Sequence, residues 1–235
     1  EERVIAKLGD SAEQTGSNKV NIQLGYMPTY SDIQEQVLVS DKLQFNAQAS
    51  EVMNTGVNLL AEDKSWTLAI DFEFEYNQNA SPTALSILAG CYDATSSNGY
   101  GFALANVNNG NPKIYWGANS YSIDVGVAPK IVETMVPQTS IVGLKTLTSQ
   151  RDIVVIRHVK GDSNLYVYSN ARFDNSEVKE TKLTRTTVQN PISSPLSIGG
   201  AMTSTGSIAK NSPACGKIHY MKLWEGDLGT TECKK

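Results

Sequence analysis

Histidine and cysteine are scarce in this chain, and their scarcity removes several chemistries at once. The two histidines, His158 and His219, lie far apart among 235 residues, and no Cys-x-x-Cys pair occurs, so the ligand spacing of a zinc site is missing. The three cysteines, Cys91, Cys215 and Cys233, are odd in number and widely spread. A disulfide framework uses an even, denser set, so these read as buried or idle thiols of a chain made in a reducing cytosol. Lys and Arg are outnumbered by Asp and Glu, 20 to 24, and no basic cluster exceeds two adjacent residues. Counterion release from nucleic acid needs the opposite balance, which argues against nucleic acid as a partner. No apolar run reaches the roughly 18–20 residues of a membrane-spanning helix, so no membrane insertion is expected. The first residues, Glu1-Glu2-Arg3, carry no signal-peptide core and no methionine, the pattern expected of a processed or trimmed product. No GxSxG, phosphate-binding loop or HExxH string occurs, and no cofactor is expected.

What is abundant is strand and turn material. Trp66 to Phe74 alternates for nine residues, with Trp66, Leu68, Ile70, Phe72 and Phe74 on one face and Thr67, Ala69, Asp71 and Glu73 on the other. A period of two is a strand with one face in a core. Further strand-length runs are Leu43–Ala47, Ala84–Cys91, Tyr100–Val107, Lys113–Trp116, Asp152–His158, Leu165–Ser169, Leu196–Gly200 and Lys217–Trp224. Turn clusters separate them, including Asn109-Gly110-Asn111-Pro112 as a hairpin turn. No sustained helical period occurs, and one short helix is expected at the end, capped by Asp227 with Thr230 to Lys235 as its body. Many short strands at this spacing indicate a sandwich or barrel rather than a β/α fold. Residues 1–34 read differently, as an arm or linker too small for its own core, leaving 35–235 as the main domain.

Four strings, in order, carry a family resemblance: MNTGVNLLAEDKSWTLAIDFEF (53–74), NGYGFALAN (98–106), LSIGGAMTSTGS (196–207) and CGKIHYMKLWEGDLG (215–229). Together they resemble the laminin-G-like and concanavalin A-like jelly rolls, and the closing strand with its W-x-G-D-L resembles those of bacteriophage structural and tail proteins. The resemblance implies an all-β jelly-roll sandwich and a non-enzymatic virion component, a tail, fibre or capsid-surface protein. Its implied partners are other virion proteins and a host-surface glycan, and its implied state is a homo-oligomer located in the virion.

Two groups of residues are candidate sites. Tyr115, Trp116 and Tyr121, with Tyr92, Asp93 and Asn98 on a nearby connection, combine aromatic faces with amides and a carboxylate, which is what a sugar surface needs. If Tyr115 and Trp116 share a strand, one of them points inward. Asp71, Glu73 and Glu75 are three carboxylates on one strand face, and glycoside hydrolases of the same jelly-roll class carry such a trio. Here the order of acid types is swapped, and a solvated strand face is the preferred reading, with no catalytic residue assigned. The alternatives are a glycan-active hydrolase using that trio and a cellular lectin or adhesion module. Laminin-G-like domains often hold calcium, so the resemblance allows a calcium ion here, but Asp93, Asp124, Asp162 and Asp174 lack Asp-x-Asp spacing and calcium is left without assigned residues.

Overall fold

The computed structural model describes residues 33–60, 64–93, 100–117, 122–134, 144–169, 178–184, 194–203, 207 and 213–235, and for 93, 100, 131–134 and 144–148 the backbone alone. The arm over residues 1–34 thus lies almost wholly outside the described residues. Residues 35–235 form one compact unit.

Among the described residues fifteen strands follow in chain order: β1 (Gln34–Val39), β2 (Leu43–Asn46), β3 (Met53–Asn54), β4 (Trp66–Phe74), β5 (Leu85–Asp93), β6 (Tyr100–Val107), β7 (Lys113–Trp116), β8 (Ser122–Asp124), β9 (Lys130–Thr134), β10 (Leu144–Thr148), β11 (Arg151–His158), β12 (Asn164–Ser169), β13 (Lys179–Thr184), β14 (Ser197–Ile198) and β15 (Cys215–Glu225). A short helix, α1 (Gly229–Cys233), ends the chain. One sheet runs β1-β15-β4-β11-β12-β13, with β2 also on β15. The other runs β3-β14-β5-β6-β7-β8, and β9 and β10 pair as a separate hairpin. Every ladder between these strands with a recorded register is antiparallel. The chain is an all-β jelly-roll sandwich with a short C-terminal helix.

The inner faces of the two sheets make the core. From the first come all five expected β4 residues, Trp66, Leu68, Ile70, Phe72 and Phe74, each no more than 2% exposed. Facing them are Leu88, Cys91, Phe102, Leu104, Ile114, Trp116 and Ile198. Burial of each large side chain contributes about 1.5–3 kcal/mol, which is why the β4 alternation decides the register of its neighbours. Gly199 closes the junction: its φ is +82°, and a Cβ there would meet the Phe45 ring at 2.4 Å. Only glycine fits that turn, so the Gly199-Gly200 pair is a packing requirement.

Several local expectations shift. The β6–β7 turn is centred on Asn108 and Asn109, with φ of 48° and 55°, and Gly110 N–H donates to Val107 O at 2.8 Å. Two positive φ values in succession match the twist of a tight hairpin, so the turn falls one or two residues before the expected Asn109–Pro112. At the C-terminus the helix is capped at Leu228 rather than Asp227. The Asp227 carboxylate still accepts the Gly229 N–H at 2.8 Å.

Two bulges govern what faces outward. In β5 the register shifts between Ile87 and Ala89, so Ile87 faces out while Leu88, Ala89 and Cys91 face the core. In β15 it shifts between Ile218 and Tyr220. Strict alternation from buried Ile218 would send Tyr220, Lys222 and Trp224 inward. The extra residue, His219, turns them to the outer face instead, and Met221 and Leu223 take the core positions at 0% exposure. Trp224 is therefore a half-buried residue of the outer surface.

Candidate functional site

The structure brings only part of the expected aromatic group together. Trp116 is 1% exposed, faces the core and donates its indole N–H to Ser163 O at 3.0 Å. It is removed from any ligand-facing role, because alternation along β7 sends Tyr115 outward and Trp116 inward. Tyr92 and Tyr115 both stand on the outer face of the six-stranded sheet, packed on Ile87, Ala103 and Ala105. Tyr92 is only 7% exposed there. Asp93 ends β5 with its side chain outside the described residues, as are Asn98 and Tyr121 altogether. Beside half-buried Tyr115, Lys113 Nζ pairs with Asp124 Oδ1 at 2.5 Å, and Asn111 donates to Asp124 Oδ2 at 3.0 Å. The Lys113 contact holds the Asp124 carboxyl below its ordinary range, and burial pushes the Tyr115 hydroxyl up.

A larger platform lies on the outer face of the seven-stranded sheet. On β15, Tyr220, Lys222 and Trp224 project from alternate positions, about 13 Å from first to last at the usual strand rise. Glu35 of β1 holds the row in place: it accepts the Trp224 indole N–H at 3.0 Å and pairs with Lys222 Nζ at 2.6 Å. The Lys222 ammonium sits 5.3 Å from the Trp224 ring centroid and 5.9 Å from that of Tyr220. Beside this row the register places Ala69 of β4 opposite Lys222 and Val155 of β11 opposite Ala69. Ile153, 42% exposed, follows on the same face. The result is a small-residue, apolar floor bordered on one side by two aromatic rings.

The carboxylate trio stands at one end of this floor, and cations hold it. Arg151 donates from Nε and Nη2 to the two oxygens of Asp71 at 2.7 and 2.5 Å. Lys217 Nζ lies 2.5 Å from Glu75 and 3.5 Å from Glu73. Glu73 also accepts from the Ser149 hydroxyl, and its Oε2 lies 3.2 Å from His219 Nε2. Burial pushes the Glu73 carboxyl up, but Ser149, His219 and Lys217 outweigh it and keep it below its ordinary range. A glycosidic general acid needs the opposite shift.

The other end is closed by the C-terminal segment. Thr67 of β4 faces outward yet is fully buried, donating to Gly226 O at 3.0 Å. Arg157 pairs with Asp227 Oδ1 at 2.9 Å, donates to the Tyr168 hydroxyl at 3.1 Å and stacks 4.4 Å from the Tyr166 ring centroid. Burial and the neighbouring Glu180 carboxylate push the Tyr168 hydroxyl up to about 12.

Among the described residues no group of three His, Cys, Asp or Glu could hold a metal ion. Asp124 is engaged with Lys113, Asp162 accepts from the Tyr166 hydroxyl at 2.7 Å, and Asp174 lies outside the described residues. Among those residues, too, no helix is long and apolar enough to cross a membrane.

The β15 row was hidden in the sequence by the His219 bulge. The signal that would have found it is Tyr220-x-Lys222-x-Trp224 read against Met221 and Leu223, two apolar residues on the opposite parity from Ile218.

No protein-family model and no curated protein matches the sequence. Solved structures similar to the chain include a carbohydrate-binding module, the CBM40 of the Ruminococcus gnavus IT-sialidase, at 16% identity and TM-score 0.45, covering 85% of this chain and 96% of that one. The leech intramolecular trans-sialidase, complexed with 2,7-anhydro-Neu5Ac, is similar at 15% identity and TM-score 0.48, over 86% of this chain and 28% of that one. The exoplasmic/lumenal domain of VIP36 in its Ca2+/Man-bound form follows at 10% identity and TM-score 0.39, over 90% and 88%. At these identities and TM-scores the fold assignment rests on the strand order and registers of this chain itself.

Proposed function

We propose that this chain is a non-catalytic glycan-binding sandwich whose ligand lies across the outer face of the seven-stranded sheet. The observation that carries the reading is the pair Tyr220 and Trp224, turned outward by the His219 bulge beside the low floor of Ala69 and Val155. Aromatic faces stack on the apolar faces of sugar rings, and a floor of small residues leaves room for the ring above it. Glu35 holds Trp224 and Lys222 in advance of binding, so little side-chain freedom is lost when a ligand arrives.

Within that reading the chain serves as a bacteriophage virion component, in a tail, fibre or capsid surface, assembled in several copies and turned toward a host glycan or a neighbouring virion protein. The support for this placement is the resemblance of the closing strand and its Trp224-Glu225-Gly226-Asp227-Leu228 string to phage structural proteins. A cellular lectin fits the same platform equally well. The hydrolase alternative has the carboxylate trio beside the floor in its favour. Against it stand the low-lying Glu73 carboxyl and the two-fold clamp of Arg151 on Asp71.

The test is a glycan array with purified protein, followed by affinity measurements on the polysaccharides that bind. Trp224→Ala should weaken binding about tenfold, the loss of one stacked ring. Unchanged binding in Trp224→Ala and Tyr220→Ala removes the platform from the account. Release of new reducing ends from a bound polysaccharide, abolished in Glu73→Gln, would establish the hydrolase instead.

A further inference from the structure

We infer that the platform takes an uncharged polysaccharide and discriminates against acidic ones, an inference that rests on the glycan-binding reading above. It follows from the charge around the floor. Lys222 is paired with Glu35, Arg151 with Asp71, Lys217 with Glu75 and Glu73, and Arg157 with Asp227. Glu180 adds a further carboxylate 4.0 Å from Arg157. Among the described residues named on this face, six carboxylates (Glu35, Asp71, Glu73, Glu75, Glu180 and Asp227) thus stand against five cations once Lys182 of β13 is counted with Lys222, Arg151, Lys217 and Arg157. Lys182 faces the same side from β13, but it lies beyond β12 at 6.0 Å from the Tyr166 ring and acts on Asp162.

An acidic sugar needs a cation whose charge is not already answered. Each cation beside the floor would have to leave a carboxylate to greet it, and that carboxylate would then face the ligand's own charge. Two like charges at close range repel by about 1 kcal/mol even in bulk water. A neutral chain meets no such penalty: it stacks on Tyr220 and Trp224 and exchanges hydroxyl hydrogen bonds with side chains already held in place. The row's length favours an extended chain over a single sugar, since the two rings stand about 13 Å apart along the strand.

The experiment compares the full chain with Glu35→Gln against neutral polysaccharides (a β-glucan and a galactomannan) and acidic ones (polygalacturonate and a sulfated galactan) by affinity electrophoresis and calorimetry. The wild type should bind at least one neutral polymer and no acidic one. Glu35→Gln unpairs Lys222 and should raise affinity for an acidic polymer about fivefold, the weight of one exposed charge contact. Acidic polymers bound as tightly as neutral ones by the wild type would overturn the inference and leave the glycan-binding reading standing. Failure of Glu35→Gln to gain acidic binding overturns the charge argument. No binding to any polymer defeats both readings together.

Discussion

Deleting His219 should leave the protein folded, whereas deleting Lys222, three residues on, should bring it close to unfolding. His219 is the extra residue of the β15 bulge, and without it Lys217, Ile218, Tyr220 and Met221 alternate cleanly against β4. The ladder then keeps every core residue inside, and the loss is the half-buried contact between His219 and Glu73. Contacts of that kind are worth about 1 kcal/mol or less. Removing Lys222 shifts everything after Met221 by one position. Leu223, at 0% exposure, is turned into water, which costs about 1.5–3 kcal/mol. Trp224 is driven into an occupied core, which costs about another 1–3 kcal/mol. Together these reach about 2.5–6 kcal/mol, a large share of the roughly 5–15 kcal/mol that holds a typical domain together. Urea denaturation followed by circular dichroism would measure both, with the slope checking that the transition stays two-state. Equal losses from the two deletions, or a greater loss from the His219 deletion, would refute the bulge and with it the outward facing of Tyr220 and Trp224.

Other outcomes follow from burial and charge. Tyr168 ionises near 10 when unfolded and is pushed up to about 12 when folded. Its contribution to stability is therefore fully present below about pH 10 and is lost as pH rises through 12. Denaturation midpoints should fall across that window, and the fall should be shallower in Tyr168→Phe; an identical profile would contradict the shift. Burial pushes the Cys91 thiol up to about 12 and the Cys233 thiol up to about 11. At about pH 8 the native protein should expose at most the half-buried Cys215 to a thiol reagent on a minutes timescale, and all three cysteines after denaturation. Rapid labelling of three thiols in the native state would contradict the packing.

The core was legible wherever period-two alternation ran unbroken. Trp66 to Phe74 declared its inner face without help from any neighbour. What was hidden came from single-residue irregularities and from edges. A bulge leaves no mark in composition: Ile218, Tyr220, Lys222 and Trp224 share a parity, yet the extra residue His219 puts the last three on the opposite face from Ile218. The same limit applied in β5, where the bulge turned Ile87 out and Ala89 in. Strand β13 escaped because its sequence, Lys-Glu-Thr-Lys-Leu-Thr, buries only Leu183, as edge strands protected by charge do. Of the aromatic group, the choice between Tyr115 and Trp116 depended on which neighbour Ile114 joined in the core, a fact of tertiary packing. The carboxylate trio was correctly placed on one face by alternation alone. Its partners came from β11, β15 and Ser149, far away in sequence, and Ser149, His219 and Lys217 hold the Glu73 carboxyl below its ordinary range.

Fluorescence offers the most direct check on the platform, because the three tryptophans occupy different worlds. Trp66 and Trp116 are 2% and 1% exposed, while Trp224 stands half-buried on the outer face. Titrating the protein with a neutral polysaccharide should shift the emission to shorter wavelength and protect it from acrylamide quenching, and both effects should vanish in Trp224→Phe. A change in emission that survives in Trp224→Phe, or saturable binding with no change at all, would place the ligand elsewhere on the molecule.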